Sequence, residues 1–394
     1  MLTRKRFAIF VLFILVLCLA NNTLIAQEGK IDRITVHSPS LEGNLFKDSP
    51  DRGVIIYLPP SYDNDPGMRY PVVYLLHGYT GNDMLWTGGS YISNGNIKDW
   101  MKIWINDGKV KEMILVMPNS YNVFRGSMYI NSIATGKWAD YIAKDLVEYI
   151  DSHYRTLPQR ESRAIIGHAM GGYGGMTLGM DYPDVFGCMG SLAGLLDMNS
   201  YPTRINWAFA QGARLKNLSD FYSQSVFDVE LSIAMSAALS PNPDKPPFYA
   251  DFPWEYDESN NLKQNQAVWD RFLARDVLKR IPSNIETLKR MRAIYIDCDT
   301  LDQRFNFIID ARLVRDELQR LDIPHQYEEF SGNHTCCVMN STGNALEVFS
   351  KAMSFEMLTG VEPKGKLTTT WGQIRQKGAP IAHENDPEKM LLVR

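Results

Sequence analysis

The chain offers little to a nucleic acid: 41 basic residues are set against 45 acidic ones, and a formal charge of −4 gives no basic footprint. Five cysteines occur in 394 residues, none in a Cys-x-x-Cys spacing, and no His-x-x-x-His pair is present. A metal or cofactor site therefore has no motif to rest on, and none is expected. Internal repeats and low-complexity tracts are also missing. The apolar run from Phe7 to Ala20 is too short for a comfortable membrane span. Because Arg4, Lys5 and Arg6 precede it and Ala26-Gln27 follows small and polar residues, it reads as a secretory signal peptide over residues 1–26. Export to a periplasmic or extracellular space follows, with no stable span after cleavage.

What is present is an ordinary globular composition, 45% hydrophobic and 22% charged, enough for a sizeable core. Strand candidates lie at Ile34 to His37, Gly53 to Leu58, Val72 to Leu76, Met113 to Met117, Arg163 to Ile166, Phe186 to Leu192, Ala293 to Asp297 and His325 to Phe330. The first two suggest an antiparallel edge hairpin. The rest are Val/Ile/Leu-rich and alternate with helical patterns such as Trp138 to Tyr154 and Asn306 to Leu321, which predicts an α/β fold with a mostly parallel sheet covered on both faces. From about 198 to 290 the alternation fails: helical stretches flank Ser240-Pro241-Asn242-Pro243-Asp244-Lys245-Pro246-Pro247. That segment reads as a helical cap insertion. Its aromatics Phe248, Tyr249, Phe252, Trp254 and Tyr256 could line a site, although packing the cap to the body is the commoner role of such residues.

The most telling absence is one oxygen. Ile165-Ile166-Gly167-His168-Ala169-Met170-Gly171-Gly172 has the glycines and the strand-to-helix context of a G-x-S-x-G nucleophile elbow, but alanine stands at its centre. Upstream, Val72 to Leu76 runs into His77-Gly78-Tyr79, where such a scaffold supplies one backbone donor to an oxyanion; the residue after the nucleophile supplies the other. Tyr79 and Met170 are the expected donors.

Taken together, these segments resemble the esterase family of α/β-hydrolases that includes feruloyl and acetyl xylan esterases, S-formylglutathione hydrolase and enterochelin esterase-like proteins. The resemblance also rests on Met117-Pro118-Asn119, Thr135-Gly136-Lys137-Trp138, Tyr154-Arg155-Thr156, Tyr182-Pro183-Asp184-Val185-Phe186, Asp297-Cys298-Asp299-Thr300-Leu301-Asp302 and Gly332-Asn333-His334, in family order. It implies an α/β-hydrolase domain over about 30–362, with residues 363–394 as a tail. Three departures stand out: the family elbow reads G-H-S-M-G-G, its acid loop usually has Gly where this chain has Asp299, and its histidine is often followed by Asp and Trp rather than Thr335 and Cys336.

A hydrolase of this kind orders nucleophile, acid and histidine along the chain. His334, in the loop after the last strand, is the expected general base. Among Asp297, Asp299 and Asp302 the resemblance favours Asp302 as its orienting acid; Asp299 is the alternative and adds an anion beside the site. Trp86, soon after the His-Gly turn, and Trp254, in the cap, are candidate stacking platforms for substrate. Cys298 and either Cys336 or Cys337 could form a disulfide near the site, with buried reduced thiols as the alternative; Cys188, inside an apolar strand, fits the latter. Ser191, Cys188 and Ser162 do not sit at the elbow, so none replaces the missing nucleophile.

Two functions stay open. One is a serine carboxylesterase acting on a small-molecule or glycan ester such as acylated plant polysaccharide, with Ala169 a serine-to-alanine change. The other is a non-catalytic member that binds an ester or glycan. Water activated directly by His334 would suit either.

Overall fold

The computed structural model describes residues 28–89 and 95–357. The expected signal peptide and the tail from Pro363 lie outside them.

Eight strands form one sheet: β1 (Lys30–His37), β2 (Asp51–Leu58), β3 (Val72–Leu76), β4 (Ile114–Pro118), β5 (Arg163–Gly167), β6 (Cys188–Leu192), β7 (Ala293–Asp299) and β8 (Gln326–Phe330). Their spatial order is β1-β2-β4-β3-β5-β6-β7-β8. β1 pairs antiparallel with β2, and β2 with β4; every other pairing is parallel. This is the α/β-hydrolase arrangement.

The reason these segments are strands is visible in β3, where all five residues are buried. Val72, Tyr74 and Leu76 belong to the core on one face, and Val73 and Leu75 to the core on the other. Period-two alternation hides both rows when helices cover both faces. Each fully buried side chain of this size contributes roughly 1.5–3 kcal/mol, so the central strands anchor the molecule. The helices that matter below are α1 (Met170–Asp181), which starts directly after the elbow, α2 (Phe227–Leu239) in the insertion, α3 (Ile308–Arg320) and α4 (Val338–Ala352).

Between Leu192 and Ala293 the chain leaves the sheet for short helices, α2 and a small hairpin of Trp254–Tyr256 with Leu262–Gln264. The helical stretch before Ser240 is not continuous. It breaks after Leu218–Tyr222 and resumes at Phe227, and α2 is then buried from Val229 to Leu239. Its burial on every side explains why its sequence lacks a polar stripe. Glu230, buried on α2, is met by Arg125 at 2.7 Å. No helix among the described residues is long and apolar enough to cross a membrane.

Candidate active site

The turn between β5 and α1 is tightly specified. Ala169 has φ 56° and ψ −112°, a conformation that costs a non-glycine residue on the order of 1–3 kcal/mol. Surrounding contacts impose it. The Ala169 N–H donates to Leu192 O at 2.9 Å, and Gly171 N–H donates to His168 O at 2.7 Å. A Cβ on Gly167 would lie 2.3 Å, and one on Gly171 2.0 Å, from the carbonyl oxygen of Leu76. Only glycine lets the elbow press against the end of β3.

The loop after β3 is equally fixed. His77 is fully buried, and burial pushes its pKa down to about 4, so its ring is neutral. Its Nε2 accepts from Ser120 N–H at 2.8 Å, which leaves the Nδ1 proton for Gly78 O at 2.9 Å. Tyr129 Oη–H donates to His77 O at 2.9 Å, and Thr80 N–H donates to Arg125 O at 3.0 Å. Asn122 Oδ1 in turn accepts from the N–H groups of Phe124 and Gly126. A Cβ at Gly126 would strike both the Tyr79 ring, at 2.6 Å, and Met170 Sδ, at 2.8 Å. The side chains of Tyr79, in the loop after β3, and Met170, the first residue of α1, thus meet against one glycine. Among the described residues neither backbone N–H donates to a protein acceptor. Two such donors could receive an oxyanion.

The histidine side is looser. His334 Nδ1 lies 3.4 Å from Asp302 Oδ2 and 3.8 Å from Asp299 Oδ2, outside hydrogen-bond range for the latter and at its limit for the former. Asp302 is oriented by its other oxygen, which accepts from Arg304 and Phe305 N–H at 2.9 and 3.1 Å; Asp299 Oδ1 accepts from Asp302 N–H at 3.0 Å. β7 runs on through Asp299, so that residue is part of the strand rather than of the loop after it. The backbone of His334 is pinned by His168, whose Nε2 is 2.7 Å from His334 O. Burial, aided by the nearby His334, pushes the His168 pKa down to about 3. Its neutral ring therefore donates the Nε2 proton to that carbonyl.

Ala169 and His334 line one pocket of about 210 Å³, walled by Tyr79, Met128, Met170, Leu195, Tyr201 and Leu231, with Phe227, Phe305 and Phe307. These walls are mainly apolar. A larger cavity of about 660 Å³, lined by Arg292, Ala293, His325 and Gln326, sits where β7 and β8 begin. Ligands on parallel sheets bind at the carboxyl ends of strands, so the smaller pocket is the candidate.

Several expected contributors are elsewhere. Trp86 is fully buried in the core on the opposite face from Tyr74, among Leu75, Leu85 and Met117, and cannot stack on a ligand. Trp254 is taken up by the cap's own packing, its ring 5.4 Å from Phe209 and 4.6 Å from Trp269. Of the five cap aromatics named from sequence, none lines the pocket. Of the two readings left open for Cys298, a disulfide is not formed: Cys336 and Cys337 bond to each other, while Cys298 and Cys188 are buried free thiols. Cys298 sits on buried β7, and its pKa is raised by burial and four nearby carboxylates. Missed entirely were Phe305 and Phe307, whose rings lie 4.6 and 5.6 Å from that of His334. Their position just after Asp302 was the available signal.

A sequence profile of the "Putative esterase" family matches residues 49–337, which include the elbow, the His-Gly turn, the acid loop and His334. The chain belongs to this esterase family. Among relatives, an endo-1,4-beta-xylanase/feruloyl esterase of Xylanibacter ruminicola is 31% identical over 144 residues, 35% of this chain and 19% of that protein. An esterase of Mycobacterium tuberculosis, Rv1288, is 27% identical over 165 residues, 41% of this chain and 34% of that protein. The chain thus spans about a fifth to a third of these relatives' lengths. Among solved structures, a ferulic acid esterase superposes with a TM-score of 0.56 at 18% identity, covering 83% of this chain and 99% of that one. An S-formylglutathione hydrolase from Agrobacterium tumefaciens gives 0.54 at 15% identity, covering 83% and 97%. At those identities the structural likeness establishes the esterase fold and no substrate.

Proposed function

We propose that this member of the esterase family is an exported carboxylic-ester-binding protein that keeps the apparatus of a serine carboxylesterase and lacks only its nucleophilic oxygen. One observation carries the reading: Ala169 holds a costly elbow conformation beside His334 in a shared apolar pocket, although alanine has no use for that backbone. In this reading His334 is the general base, Asp302 its orienting acid, and the N–H groups of Tyr79 and Met170 the oxyanion donors. The Arg4, Lys5 and Arg6 start and the Phe7 to Ala20 run support export.

The pocket speaks to ligand class. At about 210 Å³ it lies below the roughly 300 Å³ floor of drug-sized sites. It suits an acyl group, with the alcohol half of the ester remaining outside. The rings of Phe227, Phe305, Phe307 and Tyr201 favour an aromatic acyl group, in line with the feruloyl esterase named among the relatives. A feruloylated glycan is the corresponding natural ester.

The protein should give no acyl-enzyme burst with p-nitrophenyl acetate or methyl ferulate, because no hydroxyl stands at the elbow. Ala169→Ser should turn both over. An Ala169→Ser protein that folds yet stays at background across a broad ester panel would overturn the reading.

A further inference from the structure

The carboxylates and imidazole beside the elbow are poorly arranged for hydrogen bonding and well arranged for something else. Asp299 Oδ2, Asp302 Oδ2 and His334 Nδ1 are all buried and all without a hydrogen-bond partner. Asp299 is 1% exposed, and the Asp302 side chain 7%. Among the described residues the only basic group paired with either acid is His334 itself. Two carboxylates therefore share one imidazole, and Asp299, almost wholly out of water, is left with an unsatisfied oxygen, which is unfavourable.

We propose that Asp299, Asp302 and His334 form a binding site for one divalent transition cation, of which Zn²⁺ is the type. The three ligand atoms lie within 4.8 Å of one another. With metal–ligand bonds of about 2.0–2.1 Å, neighbouring donors around a tetrahedral Zn²⁺ are about 3.4 Å apart. The separations from Nδ1 are 3.4 and 3.8 Å and the two carboxylate oxygens lie within 4.8 Å of each other, so a cation between the three atoms would draw the carboxylates inward as it binds. A hydrogen bond would instead require closure to about 2.9 Å. One imidazole and two carboxylates suit Zn²⁺ or Mn²⁺, and two carboxylates neutralise the added charge. Protein supplies three ligands, so at least one coordination position is left for water or an anion.

No sequence spacing betrays this site. Two ligands come from the end of β7 and the loop beyond it, the third from the loop after β8, and Asp299 stands where the family usually has glycine. Binding would also change the histidine. A cation on Nδ1 confines the ring proton to Nε2, and the same ring then cannot accept a proton there. Metal occupancy and general-base work at His334 are mutually exclusive. The site itself does not depend on the proposed ester activity.

The experiment is calorimetric titration of the metal-stripped full chain with ZnCl₂. One saturable equivalent is expected, weakened about 100-fold or more by Asp299→Asn and by His334→Gln. His37, exposed between Asp51 and Glu42, is the competing surface site, so His37→Gln should leave that equivalent unchanged. Zn K-edge absorption on the unaltered chain supplies a readout independent of variant folding: one imidazole with oxygen ligands and no sulfur supports the assignment. A sulfur shell would place the metal on a cysteine and overturn it. Absence of a stoichiometric equivalent, or its survival in both Asp299→Asn and His334→Gln, would also overturn it.

Discussion

The two halves of the candidate site are built to different tolerances. On the elbow side, backbone hydrogen bonds of 2.7–3.1 Å and glycines with no room for a methyl group hold every turn in one place. On the histidine side, the nearest carboxylate oxygen is 3.4 Å from Nδ1, and three polar atoms have no hydrogen-bond partner. Rigid geometry at the elbow is made by packing against β3, which persists whatever residue stands at 169. Acid–histidine alignment has to be made by a hydrogen bond between side chains on two loops. The tight half does not need a serine in order to survive, whereas the loose half has room for a different task.

The largest test of this contrast adds the missing oxygen. Loss of the serine in a well-studied protease lowers turnover by about 2 × 10⁶, leaving roughly 10³–10⁴ over water. If the elbow is as well placed as its contacts indicate, Ala169→Ser should raise methyl ferulate hydrolysis by at least about 10³. The gain should stop short of the full protease figure, because His334, the proposed base, is 3.4 Å from the nearest carboxylate oxygen and so imperfectly oriented. With Ala169→Ser in place the acids can then be ranked. Adding Asp302→Asn should cost up to about 10⁴ in kcat, the scale of losing an orienting carboxylate. Adding Asp299→Asn should cost much less, since its oxygen is farther from Nδ1. A reversed order would make Asp299 the orienting acid.

Next in size is a challenge to the tight half. Gly171→Ala places a methyl 2.0 Å from a backbone oxygen that cannot swing aside. It should lower unfolding free energy by about 3 kcal/mol, read from urea midpoints. A loss under about 1 kcal/mol would show that the elbow yields more readily than its contacts imply.

The smallest effect is one of pH. His168 has a folded pKa of about 3 against an ordinary value of 6.5. Because the folded pKa is depressed, the unfolded chain binds the extra proton below pH 6.5. Stability from the neutral ring is therefore present above that value and lost as pH falls toward 3. The expected slope is about 1.4 kcal/mol per pH unit. Buried Asp297 and Asp310, both raised to about 7, push the opposite way, so the total profile is a poor readout. Comparison with His168→Gln isolates the histidine: from about pH 6.5 to 4.5 the unaltered protein should lose about 2 kcal/mol relative to the variant. Parallel profiles would mean that His168 is not held neutral.

Much of the fold was legible because its strands are short apolar runs buried on both faces. Val72 to Leu76 was read to the residue, and the last two parallel strands to within two residues of either end. Legibility fell where meaning depends on partners distant in sequence. Trp86 looked available because it follows the His-Gly turn, but the core on the far face of the sheet claims it. Cys298 had two neighbouring thiols as apparent partners, and they chose each other. Phe305 and Phe307 gained significance only when the acid loop folded them over His334. Spacing along the chain carries no trace of the Asp299, Asp302 and His334 cluster, whose members meet across two loops.

The ion pair of Arg125 with Glu230 has a consequence for how such proteins diversify. Arg125 also offers its carbonyl to the loop that carries Tyr79, so the insertion and the loop after β3 share one joint. A cap transplanted into this body without a carboxylate at the Glu230 position would strand a guanidinium, and this cap moved onto a body without Arg125 would leave an acid in the dark. Exchange of specificity by swapping caps should therefore succeed only when both halves of the joint travel together.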